Sequence, residues 1–555
     1  MILPRVQKET KHEGHIEFKE PIKVYCADYP GERAFSALKL FCPTVVFCGI
    51  AGRAGAEIVF ECLPSITKDD EYYRIDAKKN RVTANYRAFA GARNAAASLA
   101  QLLAKTKDGY KIEKTEIEDW PDNKYRGLLI DPAYMGIIPI QAVKDIILRM
   151  GLSKYNILHL NLTSHTGYAL KSEVYPEISL LAGYPEIEAG AGAQYTKAEM
   201  RGIIEYAEAL GIEIMPEFDI PGHLTRLMAD MPELMCVTKN EPPSRWAVCA
   251  GNEKTYEVLE NIYTELAELF PGKYIHIGTD EVEMLEHTDI RPWGLKTWPS
   301  WHDCTRCGEM CAREGIENNR AEIFLYMLRR IYRVVSKLGK KVVLWNDNIV
   351  NSIVSELPRD MVVQLWLDSG GNVGPADGCS LQKLLEEGFE VINSYSSQTY
   401  IEAEMQNNDA TIAIWDPKTI PAHDPNLSGQ IIGGQPCAWG YYPNFAWSVP
   451  TSLMMFGDRL WNRTVCADTE AYGKAGTRHQ LGIDTPEGLN IFEAFGGFMQ
   501  PRSNEMRMWA EKAADDECLD EIDKILEKLE KGHLAEGRLA GEYRRSIAWL
   551  KKNRI

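Results

Sequence analysis

Residues 194–223 read QYTKAEMRGIIEYAEALGIEIMPEFDIPGH and hold one complete helix–strand unit. Thr196 and Glu199 have the spacing of a capping box, so a helix is expected to begin directly after Thr196 and to run through MRGIIEYAEAL. The apolar run IEIMPEFD that follows is too short for a helix and reads as a buried strand. It stops in a polar cluster: Glu217, Asp219 and His223.

The same unit recurs along the chain from Tyr125. Short runs rich in β-branched residues appear at YRGLLID, YNILHLNL, IEIMPEFD, YIHIGTDE, KVVLWND, MVVQLW, FEVINSY and PCAWGY, with amphipathic helices between most of them. In residues 139–152, for example, Val143, Ile146, Ile147 and Met150 share one helical face. Eight strand–helix units within residues 121–500 predict an α/β fold, a (β/α)8 TIM barrel with long inserts. A doubly wound open sheet is the alternative, but no glycine-rich phosphate loop follows any strand.

Two further regions flank the barrel. Residues 1–120 mix the short runs IKVYCA, TVVFCG, AEIVFEC, YYRIDA and RVTANY with one clear helix, RNAAASLAQLLAKT, and predict a small α+β domain. The turn-rich IEDWPDNK closes it. Residues 501–555 are charged, with Leu519, Ile522, Ile525, Leu526 and Leu529 at helical spacing, and predict a C-terminal helical segment packing on the barrel. Such helices also offer a surface for a homodimer.

Composition narrows the partners. Of 555 residues 45% are apolar and 25% charged, which is globular and not disordered. The net charge of −17 disfavours nucleic acid and anionic membrane as partners and suits a neutral or cationic ligand. No window approaches the roughly 18 apolar residues of a membrane helix, and MILPRVQKETKHEGHIEFKE has no signal-peptide core, so a cytoplasmic location is expected. Thirteen scattered cysteines read as reduced thiols.

In a barrel of this kind the chemistry sits where the strands end. Those positions carry Glu217, Asp219 and His223 after the third strand, Asp280 and Glu281 after the fourth, and Trp345, Asn346 and Asp347 after the fifth. Trp366 ends the sixth, Tyr395 and Tyr400 follow the seventh, and Trp439 ends the eighth. Carboxylates converging with indoles on one rim describe a carbohydrate site, because sugars present apolar C–H faces and hydroxyls together. Taken singly, each tryptophan is as readily explained by packing, and Asp280-Glu281 by a cap or salt bridge. Neighbouring strand residues alternate faces, so both acids reach one ligand only if the strand end frays. An acid that protonates a glycosidic oxygen must also carry its proton at working pH, which a neighbouring carboxylate and partial burial favour.

HIGTDEVEM resembles the fourth-strand signature, His-x-Gly-Gly-Asp-Glu, of the family 20 glycoside hydrolases, the β-N-acetylhexosaminidases. YRGLLIDPAYM resembles that family's first strand, YNILHLNLTSHTGY its second, QYTKAEMRGIIEYAEALGIEIMPEFDIPGH its third, and NSYSSQTYIE and GGQPCAWG its seventh and eighth. The resemblance implies a retaining exo-glycosidase that removes terminal β-linked N-acetylhexosamine, GlcNAc or GalNAc, without a cofactor. The substrate's own acetamido oxygen would be the nucleophile, an exception to the two-carboxylate scheme. It further implies Glu281 as general acid and Asp280 as the anion that orients the acetamido N–H. Tyr400 would bond the acetamido oxygen, His223 would support the acid, and Trp345, Trp366 and Trp439 would box the sugar. Asp219, His159, Tyr134, Glu402 and Tyr441 complete the candidate substrate-binding set.

The chain departs from the family at the sugar clamps. Tyr134 replaces an arginine and Tyr441 a glutamate that hold the outer hydroxyls; Ser164 and His165 replace paired aspartates, and Asn161 a histidine. An altered or extended sugar at the −1 subsite would follow. Two rival readings are a glycan-binding pseudoenzyme on the same barrel and a metal-dependent hydrolase using His159, His223, His276 and Asp280. Separately, WHDCTRCGEMC places Cys304, Cys307 and Cys311 close together, a candidate structural zinc site whose fourth ligand would be His302, His287, Cys236 or Cys249.

Overall fold

Short β-branched runs that are buried at nearly every position form parallel strands covered on both sides, and the barrel is built from such runs. The computed structural model describes residues 1–43, 45–66, 69–133, 137–180, 194–240, 242–282, 300–368, 377–401, 412, 414–419, 421–439, 448–464 and 527. The barrel strands, in chain order, are β1 (Tyr125–Ile130), β2 (Ile157–Asn161), β3 (Glu213–Ile220), β4 (Tyr274–Gly278), β5 (Lys341–Trp345), β6 (Val362–Leu365), β7 (Glu390–Asn393) and β8 (Ile431–Gly434). Each pairs in parallel with the next, and β8 pairs back onto β1 at Tyr125 and Arg126, so the sheet closes. A short strand, Cys437–Ala438, continues the closure against Leu129 and Ile130. The sequence placed the eighth strand at PCAWGY. It begins earlier, at Ile431, because Gly433 and Gly434 hide a strand from any reading based on side-chain alternation.

Helices Ile140–Leu152, Lys197–Ala209, Glu253–Leu269, Arg320–Lys337 and Leu381–Glu386 alternate with the strands. The expected capping box is present: Thr196 Oγ1 accepts from the Glu199 N–H at 3.2 Å, and Glu199 Oε2 accepts from the Thr196 N–H at 2.8 Å. Tyr125, Ile157, Met215, Val343, Val362 and Ile392 fill one level of the barrel interior. Apolar side chains plug it there, so ligands reach only the end where the strands finish.

The N-terminal region is an α+β domain. Its eight-stranded sheet runs in the order Lys8–Phe18, Gly109–Asp119, Tyr73–Lys78, Arg81–Tyr86, Ile58–Cys62, Ile22–Cys26 and Phe47–Ile50, with Ala104–Thr106 paired to Gly109–Asp119. Two helices, Tyr29–Phe41 and Phe89–Leu102, pack against each other. The sequence reading missed both long strands, Lys8–Phe18 and Gly109–Asp119; the first, at the sheet edge, keeps its first eight residues exposed and carries no apolar alternation there. It also missed helix Tyr29–Phe41, whose start is set by Asp28 Oδ1 accepting from the Gly31 N–H at 2.8 Å.

This domain is bolted to the barrel by buried charge. Lys154, at the start of the β2 unit, reaches Asp119 Oδ2 at 2.7 Å with neither side chain exposed, and Trp461 Nε1–H donates to Asp119 Oδ1 at 2.9 Å. Residues 501–555, expected to be helical, lie outside the described residues apart from Glu527.

Candidate active site

The end of β4 does not continue as a strand. Gly278, Thr279 and Glu281 have φ of +66°, +85° and +47°, in the left-handed region that side chains rarely adopt. This curl turns both Asp280 and Glu281 toward the barrel mouth, where their side chains remain 19% and 22% exposed. The alternation that would have separated them is broken by the backbone. Gly278 makes the curl feasible: a Cβ there would stand 1.8 Å from Asp219 Oδ1. Asp219 instead accepts the Thr279 N–H at 2.8 Å, tying the end of β3 to the curl.

His223, itself at φ +55°, faces the acid pair. Its Nε2 lies 3.3 Å from Glu281 Oε2, 3.4 Å from Asp280 Oδ2 and 4.0 Å from Asp219 Oδ2. Burial alone would depress this imidazole, but the Asp280 carboxylate and hydrogen bonds to both acids hold it well above the usual histidine range. The indole of Trp246 packs on the ring with centroids 4.4 Å apart and donates its Nε1–H to the Glu281 carbonyl at 2.8 Å. His165 also lies near the Trp246 indole, ring centroids 6.1 Å apart, and burial followed by repulsion from His223 pushes it down to about 3. His165 is therefore neutral near pH 7 and supplies no anion. The charge on His223 is balanced from the front, by Asp280.

The adjoining wall is aromatic. Trp366 stacks on Tyr400 at 6.2 Å and 6°, Tyr400 meets Trp439 edge-on at 5.9 Å, and Trp439 lies 6.0 Å from Trp345. Asp347 joins this wall to the acids. Its Oδ1 accepts from Trp366 Nε1–H at 2.9 Å, and its Oδ2 accepts from the Glu281 backbone N–H at 2.8 Å and from Asn348 Nδ2 at 2.7 Å. Burial, then repulsion by Asp280, outweighs those donors and pushes Asp347 up to about 8. Asp219 is likewise raised well above the usual carboxylate range by burial and by Asp280.

One level deeper, Glu217 accepts from Trp345 Nε1–H at 2.9 Å and lies 3.0 Å from His159 Nε2 and 2.9 Å from His276 Nδ1. The His159 tautomer follows from its other nitrogen. Tyr125 O–H donates to Gln435 Oε1 at 2.6 Å, which aims the Gln435 amide N–H at His159 Nδ1, 2.9 Å away, and leaves the proton on Nε2 toward Glu217. Burial opposes the charge on Glu217, but the two imidazoles outweigh it and hold the carboxyl below its usual range.

Asp280, Glu281, His223, Trp345, Trp366, Tyr400 and Trp439 thus lie together at one end of the barrel. His159 does not join them. It was expected to bind substrate, but it is completely buried against Glu217, His276 and Trp345, so this expectation is corrected. Asp219 is also buried, behind the β4 curl. Tyr134, Glu402 and Tyr441 lie outside the described residues. The four residues of the metal-hydrolase reading fall into separate groups: His159 and His276 share Glu217, while His223 and Asp280 share Asp219. Trp246 and Gln435 escaped the sequence reading. Trp246 sits in SRWAVCAG, far from any strand end, and only the fold returns it to the site.

The cysteine expectation is corrected as well. Cys304 and Cys307 cluster with Cys236 and Cys249, and Cys311 is not in that group. Cys311 is one full helical turn beyond Cys307, and its thiol points to Asn318 Oδ1 at 3.9 Å. His302 is exposed, and His287 lies outside the described residues.

Comparison with known proteins agrees with this geometry. The catalytic-domain model of glycosyl hydrolase family 20 matches residues 123–463. Beta-hexosaminidase subunit alpha of Bos taurus is 24% identical over 388 residues, covering 68% of each chain. Beta-hexosaminidase of Vibrio furnissii is 27% identical over 417 residues, covering 69% of this chain and 63% of that one. The chain thus spans about two thirds of the curated relatives it matches. Among solved structures, an exo-β-N-acetylglucosaminidase from Vibrio harveyi in complex with N-acetylglucosamine superposes with a TM-score of 0.72 at 21% identity, over 87% of this chain and 77% of that one. The Flavobacterium johnsoniae chitobiase does so at 0.71 and 20%, over 99% and 92%. These structures share the fold, and the match to the catalytic domain extends over more than half of the sequence. The chain belongs to glycosyl hydrolase family 20 and is a glycoside hydrolase related to the β-hexosaminidases.

Proposed function

We propose that this protein is a retaining exo-glycosidase that releases terminal β-linked N-acetylhexosamine, with the substrate's acetamido group as nucleophile. Glu281 donates its proton to the glycosidic oxygen. The acetamido carbonyl oxygen attacks the anomeric carbon as that bond breaks, giving an oxazolinium ion, and Asp280 accepts the acetamido N–H and offsets the positive charge. Water then opens the ring, with Glu281 as base. Such a scheme needs one acid and one anion within reach of a single sugar and no enzyme nucleophile.

The observation that carries this reading is the β4 curl, with Asp280 and Glu281 both within 3.4 Å of His223 Nε2 beside the Trp345–Trp439–Tyr400–Trp366 wall. In this reading Tyr400 bonds the acetamido oxygen and the three tryptophans enclose the methyl group and the sugar face. An altered or extended sugar at the −1 subsite remains part of the proposal, because Tyr134 and Tyr441 stand where the family carries polar clamps.

A cyclic thiazoline that mimics the oxazoline tests the mechanism. Competitive inhibition far tighter than the binding of N-acetylglucosamine is expected, since a transition-state mimic gains the interactions that develop during reaction. Comparable binding of the two, or turnover of glycosides lacking the acetamido group, would defeat it. Comparing simple aryl β-GlcNAc and β-GalNAc with disaccharide-bearing aglycones tests the subsite, and full activity on the simple substrates alone would count against an extended sugar.

A further inference from the structure

Four cysteine sulfurs meet where two loops of the barrel rim cross. Cys236 and Cys249 lie on the loop that follows β3, and Cys304 and Cys307 on the segment that follows β4. All four residues are buried, and one sulfur from each lies within 4.8 Å of the others. Cys249 Sγ stands 3.6 Å from Cys304 Sγ and 3.8 Å from Cys307 Sγ. A disulfide would bring a pair to about 2.05 Å. A zinc ion bound at about 2.3 Å by four thiolates spaces its ligands about 3.8 Å apart, the edge of that tetrahedron.

We propose that Cys236, Cys249, Cys304 and Cys307 bind one structural zinc ion. Four buried thiols with mainly one another for company are poorly satisfied, because S–H is a weak donor and sulfur a weak acceptor. As thiolates around a divalent cation they are fully paired. The exchange balances: each thiol yields its proton, and four protons leave as the ion enters. An all-sulfur, closed set selects a soft tetrahedral metal and leaves no open coordination position, so the ion holds structure and does no chemistry.

Two local features suit this use. Cys304 caps the N-terminus of helix Thr305–Glu314 and Cys307 lies in its first turn, where the helix dipole favours negative charge. Gly251, two residues after Cys249, presses so closely on the other ligand segment that a Cβ would stand 2.3 Å from the Arg306 carbonyl. The segments also meet through the Cys304 bridge to Thr238, the Thr305 N–H to Val237 O bond at 2.9 Å and Trp301 Nε1–H to Val248 O at 2.9 Å. The zinc would fasten the loop leaving His223 to the segment returning from Glu281. The inference does not depend on which sugar the enzyme takes.

The test is the metal content of the full chain, purified from zinc-replete cells without a chelator or metal-affinity tag. One zinc per chain is expected, released to a chromogenic chelator once the thiols are blocked by a mercurial. C311S is expected to retain the zinc, and C249S to lose it with a lower Tm. If C249S fails to accumulate, the wild-type content and intact mass decide. Zinc well below stoichiometry, iron in its place, a mass showing disulfides among these cysteines, or equal zinc loss in C311S would each overturn the proposal.

Discussion

The backbone N–H of Glu281 donates to Asp347 Oδ2 at 2.8 Å, so the residue ending the β4 curl is held by a carboxylate just past the end of β5. Asp347 also accepts the Trp366 indole N–H, which makes one buried side chain responsible for the spacing between acid and aromatic wall. Asp347 is a positioning residue. In D347N one acceptor remains where two oxygens served three donors, and about 1–3 kcal/mol of positioning is lost. That predicts kcat lower by roughly 10- to 100-fold with KM little changed. A variant altered in KM alone would show that Asp347 does not position the acid.

The same residue sets a pH dependence of stability. Asp347 is raised to about 8 in the folded protein, so it binds a proton that the unfolded chain has released above its ordinary carboxylate range. Its stabilising contribution is complete below about pH 4 and is lost as pH rises toward 8. The amide that D347N puts in its place has no such proton to bind. Denaturant unfolding of wild type and D347N at pH 5 and pH 8 is therefore expected to show the wild type losing ground to the variant at the higher pH. A stability difference independent of pH would contradict this.

Glu281→Gln keeps the side-chain shape and removes the transferable proton. A general acid contributes typically 10²- to 10⁴-fold, and a loss of turnover on that scale is expected for substrates with poor leaving groups. Thiazoline binding should survive, because the aromatic wall and Asp280 are intact. Activity within tenfold of wild type would remove Glu281 from the role, and a glycan-binding protein without catalysis would show no turnover in either form.

Gly278→Ala tests the curl. A methyl group would stand 1.8 Å from Asp219 Oδ1 at φ +66°, so β4 must shift or unwind, at a cost expected to exceed about 2 kcal/mol. Gly315 is the control. It has φ +69° but nothing within 4 Å of its Cβ, and G315A should cost only the backbone strain, about 1 kcal/mol. Activity should fall in G278A and persist in G315A. Equal effects on Tm and kcat would mean that strain alone, and not the Asp219 contact, matters at Gly278.

Much of this was legible in the chain because the barrel repeats one pattern eight times, and seven of the eight strands announce themselves by short apolar runs that are buried at nearly every position. The eighth begins at Ile431 but carries Gly433 and Gly434, which offer no side chain to read. Asp280 and Glu281 were legible as a pair, whereas the positive φ values that make them converge were not, because that strain is imposed by Asp219 and Gly278 across two strands. Trp246 and the Cys236–Cys249 half of the thiol cluster could not be placed from spacing. They reach their partners through loops whose paths depend on tertiary contacts. His159 misled for the opposite reason: a histidine on a barrel strand reads as a ligand to substrate, and here its Nδ1 is bonded by Gln435 and its Nε2 is packed 3.0 Å from Glu217.

Glu217 gives the last prediction, since it decides whether the layer below the site is a support or a bystander. His159 Nε2–H faces one oxygen of Glu217 and Trp345 Nε1–H donates to the other, so the anion holds an indole of the proposed sugar box. E217Q replaces an acceptor-only group by one that must turn two N–H donors toward groups already donating. Leaving buried polar groups mispaired in this way costs about 1–3 kcal/mol for each group. The carboxyl lies below its usual range in the folded state, so its stabilisation is present above the unfolded carboxylate range, near pH 4, and is lost as pH falls further. The stability gap between wild type and E217Q should accordingly be largest at neutral pH and narrow in acid. Activity should fall through a displaced Trp345, visible as weaker thiazoline binding, whereas unchanged binding with a lowered Tm would make Glu217 a purely structural anion.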